Sequence, residues 1–181
     1  GIYTVTATIA PTACPADMSG SATVNVNALP AEYSVAGDGN YCTGGTGVGI
    51  SIPGSEIGVN YTLSNGTSPV ITVVGTGTVI NFGAQTAAGT YNVSGINGAT
   101  SCLRTMNGTA TVAINALPTA YNMTGGGNYC TGGGGMAVGI SGSNTGINYQ
   151  LYNGASTAGT SVAGTGAAFS FGAQTAAGTY T

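Results

Sequence analysis

The stretch FGAQTAAGTY occupies residues 82–91 and recurs unchanged at residues 171–180. ALPAEY at 28–33 returns as ALPTAY 88 residues later, and GNYCTGG at 39–45 returns at the same spacing. The spacing becomes 89 for FGAQTAAGTY, because the second copy has one extra residue before it. Self-similarity at a fixed period is the sequence signature of a repeat architecture.

The period divides the chain into three parts. Residues 1–27 correspond to the last two strands of a preceding repeat, 28–115 to one complete repeat, and 116–181 to a following repeat that lacks its last strands. Because GTYT at the end of the chain matches GIYT at its beginning, we expect a window of a longer tandem array. The alternative is a two-repeat subunit that lends its first strands to a neighbour, as in strand complementation. The last repeat would then be completed by chain continuation or by a neighbouring copy.

Within a repeat, apolar residues alternate with polar ones, as in half-buried strands, and no stretch has the period of an amphipathic helix. VNYTL, for example, places Val59, Tyr61 and Leu63 on one face. The strands predicted for the complete repeat are 32–36, 48–52, 59–64, 70–74, 78–82, 90–96 and 109–115. The other residues that alternation predicts to be buried are Val24, Val26, Ile80, Phe82, Val112, Ile114, Phe169 and Phe171.

About seven short strands in 88–89 residues is the size of an immunoglobulin-like sandwich. The predicted fold is therefore all-β: tandem immunoglobulin-like antiparallel β-sandwich repeats, joined end to end. AGTY before the sixth strand is typical of a tyrosine corner, in which the hydroxyl is tied to nearby backbone. Tyr91 and Tyr180 take this position, and Tyr3 marks it in the preceding repeat. An ordinary core tyrosine is the alternative.

The whole pattern of ALPxxY, GNYCTGG, GxNYxLxNG, GTG, FGAQTAAGTY, a later Cys and TATVxxNALP covers the chain. It resembles the tandem immunoglobulin-like repeats of very long secreted or cell-surface proteins of gliding, Bacteroidota-type bacteria. The resemblance implies an exported product that is attached to the bacterial surface or forms filaments. Its motifs are turns and core positions, so they indicate no ligand.

The cysteines are Cys14, Cys42, Cys102 and Cys130, and there is no His and no CxxC. This pattern disfavours a metal site and favours disulfides in an oxidising, extracellular setting. In a standard sandwich Cys42 and Cys102 would lie at opposite ends, beyond the ~7 Å limit on Cα separation. The predicted bonds therefore join Cys42 to the equivalent of Cys14 in the continuation, and Cys130 to the equivalent of Cys102. A Cys42–Cys102 bond stays open if the fold is not a standard sandwich.

Charge is scarce: 3% of residues are charged, the net charge is −3, and Arg104 is the single cation. This composition argues against binding to nucleic acid. No apolar run approaches the roughly 20 residues of a membrane-spanning helix, so no membrane insertion is expected. The acids Asp17, Glu32, Asp38 and Glu56 do not recur between repeats, so we expect no enzyme, cofactor or metal. Arg104 is interpreted as a solvated loop residue.

The predicted function is a structural component of an extracellular filament or cell-surface stalk, whose partners are copies of itself. Proline is expected to stiffen the junctions between repeats. The junction residues are Asn27, Ala28, Leu29, Pro30, Asn115, Ala116, Leu117 and Pro118. The alternative is an adhesin or carbohydrate-binding module that recognises surface glycans through exposed aromatic side chains. Its candidate residues are Tyr41, Tyr129 and Tyr152.

Overall fold

The structure, a computed structural model, describes all residues from 1 to 181. The chain forms two compact units, a first unit Gly1–Asn115 and a second unit Ala116–Thr181. Both consist of strands, turns and bends without any helix, so the prediction of an all-β chain is confirmed. It follows that no helix is long and apolar enough to cross a membrane.

The strands are numbered in chain order. Those of the first unit are β1 (Ile2–Tyr3), β2 (Thr6–Ile9), β3 (Cys14–Asp17), β4 (Ala22–Thr23), β5 (Gly39–Cys42), β6 (Val48–Ile52), β7 (Val59–Asn65), β8 (Ser68–Val74), β9 (Ile80–Gln85), β10 (Gly89–Asn97), β11 (Leu103–Thr105) and β12 (Ala110–Asn115). Those of the second unit are β13 (Met123–Gly125), β14 (Met136–Ile140), β15 (Asn148–Tyr149), β16 (Tyr152–Asn153), β17 (Ser156–Thr157), β18 (Val162–Ala163) and β19 (Phe169–Gln174).

The largest sheet of the first unit has the strand order β5-β12-β10-β7-β8, with β11 also paired to β10. A second sheet consists of β6 and β9, and a bridge joins Ala36 to Ser51. β5 runs parallel to β12, with Gly39 opposite Val112 and Cys42 opposite Asn115. The prediction of purely antiparallel sheets is therefore wrong at this edge.

The core of the first unit contains apolar side chains from both sheets, which is consistent with a β-sandwich. Its buried residues are Ile50, Ile52, Val59, Tyr61, Leu63, Ile80, Phe82, Tyr91, Val93, Met106, Ala110 and Val112. The predicted burial of alternate residues in β7, and of Ile80, Phe82 and Val112, is confirmed. Ile114 is exposed instead, because it lies near the end of β12.

Predicted strand positions agree with the structure at most elements. β6 coincides with the predicted strand 48–52, and β7, β8, β9, β10 and β12 overlap their predicted ranges. The predicted strand 32–36 is wrong, since only isolated bridges form there, at Ser34 and Ala36. β5 and β11 are strands that the alternation did not predict.

Residues 1–27, the N-terminal arm, form two short hairpin ladders, β1 with β4 and β2 with β3. Their registers are those that β10 makes with β12 and β11, shifted by 88 residues. Ile2 pairs with Thr23, for example, as Thr90 pairs with Thr111. The arm therefore has the pairing of the last strands of a unit, β10 to β12, without their packing.

No second sheet covers the arm. Val24 is 53% and Val26 95% exposed, whereas Val112, the counterpart of Val24, is 2% exposed. The predicted burial of Val24 and Val26 is therefore wrong. Alternation identifies the face that can be buried, but burial also requires a partner surface.

The second unit contains a three-stranded sheet, β13-β14-β19, and the pairs β15–β18 and β16–β17. Val138, Ile140 and Leu151 are buried in it. Phe169 and Phe171 are only half-buried, so their predicted burial is partial. Their counterparts Ile80 and Phe82 are buried in the first unit, which indicates that the second core is less completely covered.

The two units make the same side-chain hydrogen bonds at corresponding positions. In both, a serine hydroxyl donates to a backbone carbonyl, a tyrosine hydroxyl accepts a backbone N–H, a glutamine amide donates three residues back, and a side-chain oxygen accepts the N–H that follows the proline. The pairs are Ser55–Thr78 (2.6 Å) and Ser143–Ala167 (2.7 Å), Tyr61–Glu56 (3.0 Å) and Tyr149–Asn144 (2.8 Å), Gln85–Phe82 (3.1 Å) and Gln174–Phe171 (3.3 Å), and Glu56–Ala31 (2.7 Å) and Asn144–Thr119 (3.1 Å).

Candidate functional site

The carboxylates are held in separate structural contacts. Glu32 pairs with Arg104, Asp38 accepts the Thr111 N–H at 2.6 Å, Glu56 accepts the Ala31 N–H at 2.7 Å, and Asp17 accepts the Thr6 hydroxyl at 2.9 Å. No three His, Cys, Asp or Glu residues lie close enough together to hold a metal ion. Each of the four carboxylates thus makes a contact within the fold, and the expectation of no enzymatic activity stays a prediction.

Arg104 lies in β11 and not in a loop, so its interpretation as a loop residue is wrong. Its guanidinium pairs with Glu32 and also donates to the Pro30 carbonyl at 3.3 Å. Arg104 thus connects Pro30 and Glu32, near the start of the complete repeat, to β11 at the edge of the large sheet.

The predicted junction residues are exposed except Pro30, which is buried. The Asn115 carbonyl accepts the Thr43 N–H at 2.9 Å and its hydroxyl at 3.1 Å. The Asn27 carbonyl lies 3.9 Å from the Cys102 sulfur. Asn27, Pro30 and Asn115 thus contact the first unit.

All four cysteines are free thiols, and Cys14, Cys42 and Cys130 are exposed. Cys42 ends β5 beside Asn115, while Cys102 follows the far end of β10. The nine residues of β10 span about 30 Å at ~3.4 Å per residue, far beyond the ~7 Å limit for a disulfide. The structure therefore excludes the Cys42–Cys102 alternative, and pairing across repeats stays a prediction.

The tyrosine near the start of β10 is a core residue, and its hydroxyl is bonded to upstream backbone. Tyr91 is 1% exposed, and its hydroxyl donates to the Ala87 carbonyl at 2.8 Å. Tyr180 makes the same bond to Ala176 at 2.7 Å but is only half-buried. Tyr3, in the arm, is exposed.

The candidate glycan-binding tyrosines do not form a shared platform. Tyr41 and Tyr129 each donate their hydroxyl to a backbone carbonyl, that of Thr86 and of Thr175 respectively. Tyr152 is 40% exposed. None of the three stacks on another aromatic ring.

The most distinctive surface feature is a groove of about 350 Å³ in the second unit. Residues 126–129 line it on one side, and residues 176–178 with Tyr180 line it on the other. The lining side chains and edge glycines include Gly127, Tyr129, Met136, Val138, Gly178 and Tyr180. None of these residues is charged, so the groove suits an uncharged, partly apolar occupant.

The corresponding place in the first unit is filled by a strand. Gly39 and Gly89, the counterparts of Gly127 and Gly178, both pair with Val112 on β12. The groove is therefore the position that β12 occupies in the first unit. The repeat period predicted the missing strands, but the sequence did not reveal that the edges would remain apart.

Comparison with known proteins identifies no similar protein. No family model, curated protein or solved structure matches the chain. The candidate site is therefore defined by comparing the two units of this chain. The position is filled by β12 in the first unit and is open in the second.

Proposed function

We propose that the chain is a structural component of an extracellular filament or cell-surface stalk, built from tandem immunoglobulin-like β units. The strand order of the first unit supports this fold, since a β5-β12-β10-β7-β8 sheet faces a β6–β9 sheet across one core. The bond from Tyr91 to Ala87 supports it too, because a tyrosine tied to upstream backbone is a hallmark of such sandwiches.

One observation carries the structural role: the hydrogen bonds that recur between the units are scaffold bonds, and no charged residue recurs. Asp38 corresponds to Gly126, and Glu32 corresponds to Ala120. Glu56 corresponds to Asn144, which keeps the same contact through its amide oxygen. A function shared by both units can therefore rest on shape, core and backbone, but not on a charge.

The positions of two cysteines suit disulfides between successive repeats, if the setting is extracellular. Cys42 lies beside Asn115 at one end of the large sheet, and Cys102 lies beside Asn27 at the other. Exposed thiols in an oxidising compartment form disulfides. Bonds between successive repeats would then join each unit to the next.

Immunogold electron microscopy of intact source cells tests the proposal, with a strain that lacks the gene as control. We expect label along filaments or stalks outside the cell. Their axial repeat should be no shorter than β10, about 30 Å at ~3.4 Å per residue. Unlabelled intact cells, with all antigen in the cytosolic fraction, would contradict the proposal.

A further inference from the structure

We infer that the free edge of β8 is a site of self-association, and that its occupant is the same edge of a second copy of this chain, paired antiparallel about a twofold axis at Thr72. The inference deepens the proposed function, on which it rests for its biological setting, by naming a lateral contact between neighbouring filaments. The contact itself follows from the sheet of the first unit alone.

β8 is the outer strand of the large sheet and pairs with β7 alone. The junctions between repeats lie elsewhere, since Asn27 is beside Cys102, which precedes β11, and Asn115 ends β12. β10 and β7 separate both of these strands from β8. The β8 edge is therefore independent of how the chain extends on either side of the first unit.

The hydrogen-bond pattern identifies the free backbone groups of β8. The Gly75 N–H donates to the Val59 carbonyl at 2.8 Å, and the residue pairs of an antiparallel ladder alternate between bonded and non-bonded ones. Residues 71, 73 and 75 therefore exchange bonds with β7. The N–H and C=O groups of Thr72 and Val74 point away from β7, where another strand can satisfy them.

This part of the edge lacks the features that protect other sheet edges, which are charges, proline and bulges. Residues 71–74 read ITVV, and both Ile71 and Val74 are exposed, by 42% and 60%. Pro69 and the bulge next to it protect only the beginning of β8. Long, exposed, apolar edges of this kind pair with strands from other chains.

The second unit shows that the repeat does not require such an edge. SPVITVV at 68–74 is replaced there by STAGTSVA at 156–163. Gly159, with φ +76°, interrupts this stretch, and two strands of two residues, β17 and β18, take the place of the seven-residue β8. The long apolar edge is therefore a feature of the first unit and not of the shared scaffold.

A second copy fits this edge because the edge is complementary to itself. A twofold axis at Thr72 places the two Thr72 residues opposite each other, where each donates its N–H to the carbonyl of the other. Ile71 then lies opposite Val73 of the second copy, and β-branched cross-strand pairs stabilise a sheet. No residue of β8 is charged, so the pair brings no like charges together, whereas a charged partner would find no counter-ion.

The contact is small. Four residues extend over about 13 Å at ~3.4 Å per residue, far less than an interface of ~1,600 Å² requires. One pair of edges should therefore associate weakly and reversibly. In filaments the same contact can recur, and its effect then multiplies through effective concentration.

Sedimentation equilibrium of the purified 181-residue chain up to ~1 mM, in reducing buffer to exclude disulfides, tests the inference. We expect a reversible dimer. Thr72→Pro removes the N–H that faces the free edge, a change that edge strands tolerate, and should weaken the dimer at least ~10-fold. Thr72→Val is the matched control: it loses the same hydroxyl contact with Thr62 but keeps the N–H, and it should dimerise like the wild type.

Val74→Lys provides a second test that does not depend on how the unit accommodates proline. Val74 is exposed, so the fold should be unchanged, and a lysine on an edge opposes pairing. Val79→Lys adds the same charge at a residue that is 61% exposed and precedes β9 in the other sheet. It should leave the dimer intact.

Amide hydrogen exchange measured by NMR locates the contact. Exchange at Thr72 and Val74 should slow as the concentration rises, whereas Ile71 and Val73, already bonded to β7, should be protected at every concentration. A chain that is monomeric at ~1 mM would overturn the inference. So would oligomers that persist in Val74→Lys, or an equal loss of association in Val79→Lys. These results are obtained with purified protein, so they can fail while extracellular location holds, and the reverse.

Discussion

A matched pair of core substitutions, Leu63→Ala in the first unit and Leu151→Ala in the second, tests whether the second core is incomplete. The two leucines occupy corresponding positions, and they are 0% and 1% exposed. Leu63 lies opposite Val93 on β10 and Ile71 on β8. Leu151 is equally buried, but Tyr149, Phe169 and Phe171 in its unit are only half-buried. Their counterparts Tyr61, Ile80 and Phe82 in the first unit are buried, so the second core is less completely covered.

The expected costs follow from these surroundings. Removing three carbons from a buried leucine costs about 2.4 kcal/mol in transfer free energy, at ~0.8 kcal/mol per methylene. In a closed core the residual cavity raises the cost, and measured Leu→Ala values run from about 2.7 to 5 kcal/mol. We therefore expect about 3–4 kcal/mol for Leu63→Ala. In the second unit the half-buried Tyr149, Phe169 and Phe171 can relax around the gap, so Leu151→Ala should cost little more than the transfer term, about 2.4 kcal/mol.

Urea and thermal unfolding followed by circular dichroism, with hydrogen exchange to separate the units, measure both costs. A loss of 1 kcal/mol lowers Tm by about 4–8 °C in a domain of this size, so Leu63→Ala should lower the Tm of the first unit by about 10 °C or more. Ile57→Ala is the control, because Ile57 is 81% exposed and its truncation should cost less than ~0.5 kcal/mol. A cost below ~1 kcal/mol for Leu63→Ala, or a larger cost for Leu151→Ala, would refute the reasoning.

Three further outcomes are expected. Burial raises the pKa of Tyr61 above 10.0, although the hydrogen bond from the Glu56 N–H partly opposes it. The folded chain then keeps a proton that the unfolded chain loses, so Tm should be flat below about pH 10 and fall above it; an equal fall in Tyr61→Phe would contradict this. Gly75→Ala would place a Cβ 2.0 Å from the Glu56 carbonyl oxygen and should lower the free energy of unfolding by ~1–3 kcal/mol, as measured by urea titration. Gly49→Ala is the control, because a Cβ at Gly49 would have no atom within 4 Å. Trypsin should cut only after Arg104, which lies in β11, and only when the first unit opens. Leu63→Ala should therefore speed cleavage, whereas Leu151→Ala should not. Equal cleavage rates of the two variants on gel electrophoresis would contradict this prediction.

The sequence predicted the strands whose burial follows from their own alternation. β7 is the clearest case, because Val59, Tyr61 and Leu63 alternate with polar residues and all three are buried. β5 was missed, since its residues, GNYC, include Gly and Asn, which are uncommon in strands. It forms because β12 offers it an edge, and that pairing joins residues more than 70 positions apart.

The candidate site was only partly predictable for a related reason. The period identified the second unit as lacking its last strands, and residues 1–27 as the last two strands of a preceding repeat. Alternation then predicted that Val24 and Val26 are buried, although both are exposed. A periodic pattern records the face that a strand is adapted to bury, whereas the partner surface must be found in three dimensions.

Cryo-electron microscopy of filaments isolated from the source cells is the most direct test of the proposed function. The account predicts density for successive β units along each filament, each with the sheet order β5-β12-β10-β7-β8 facing β6 and β9 across one core. Filaments whose density fits no such unit would contradict the account.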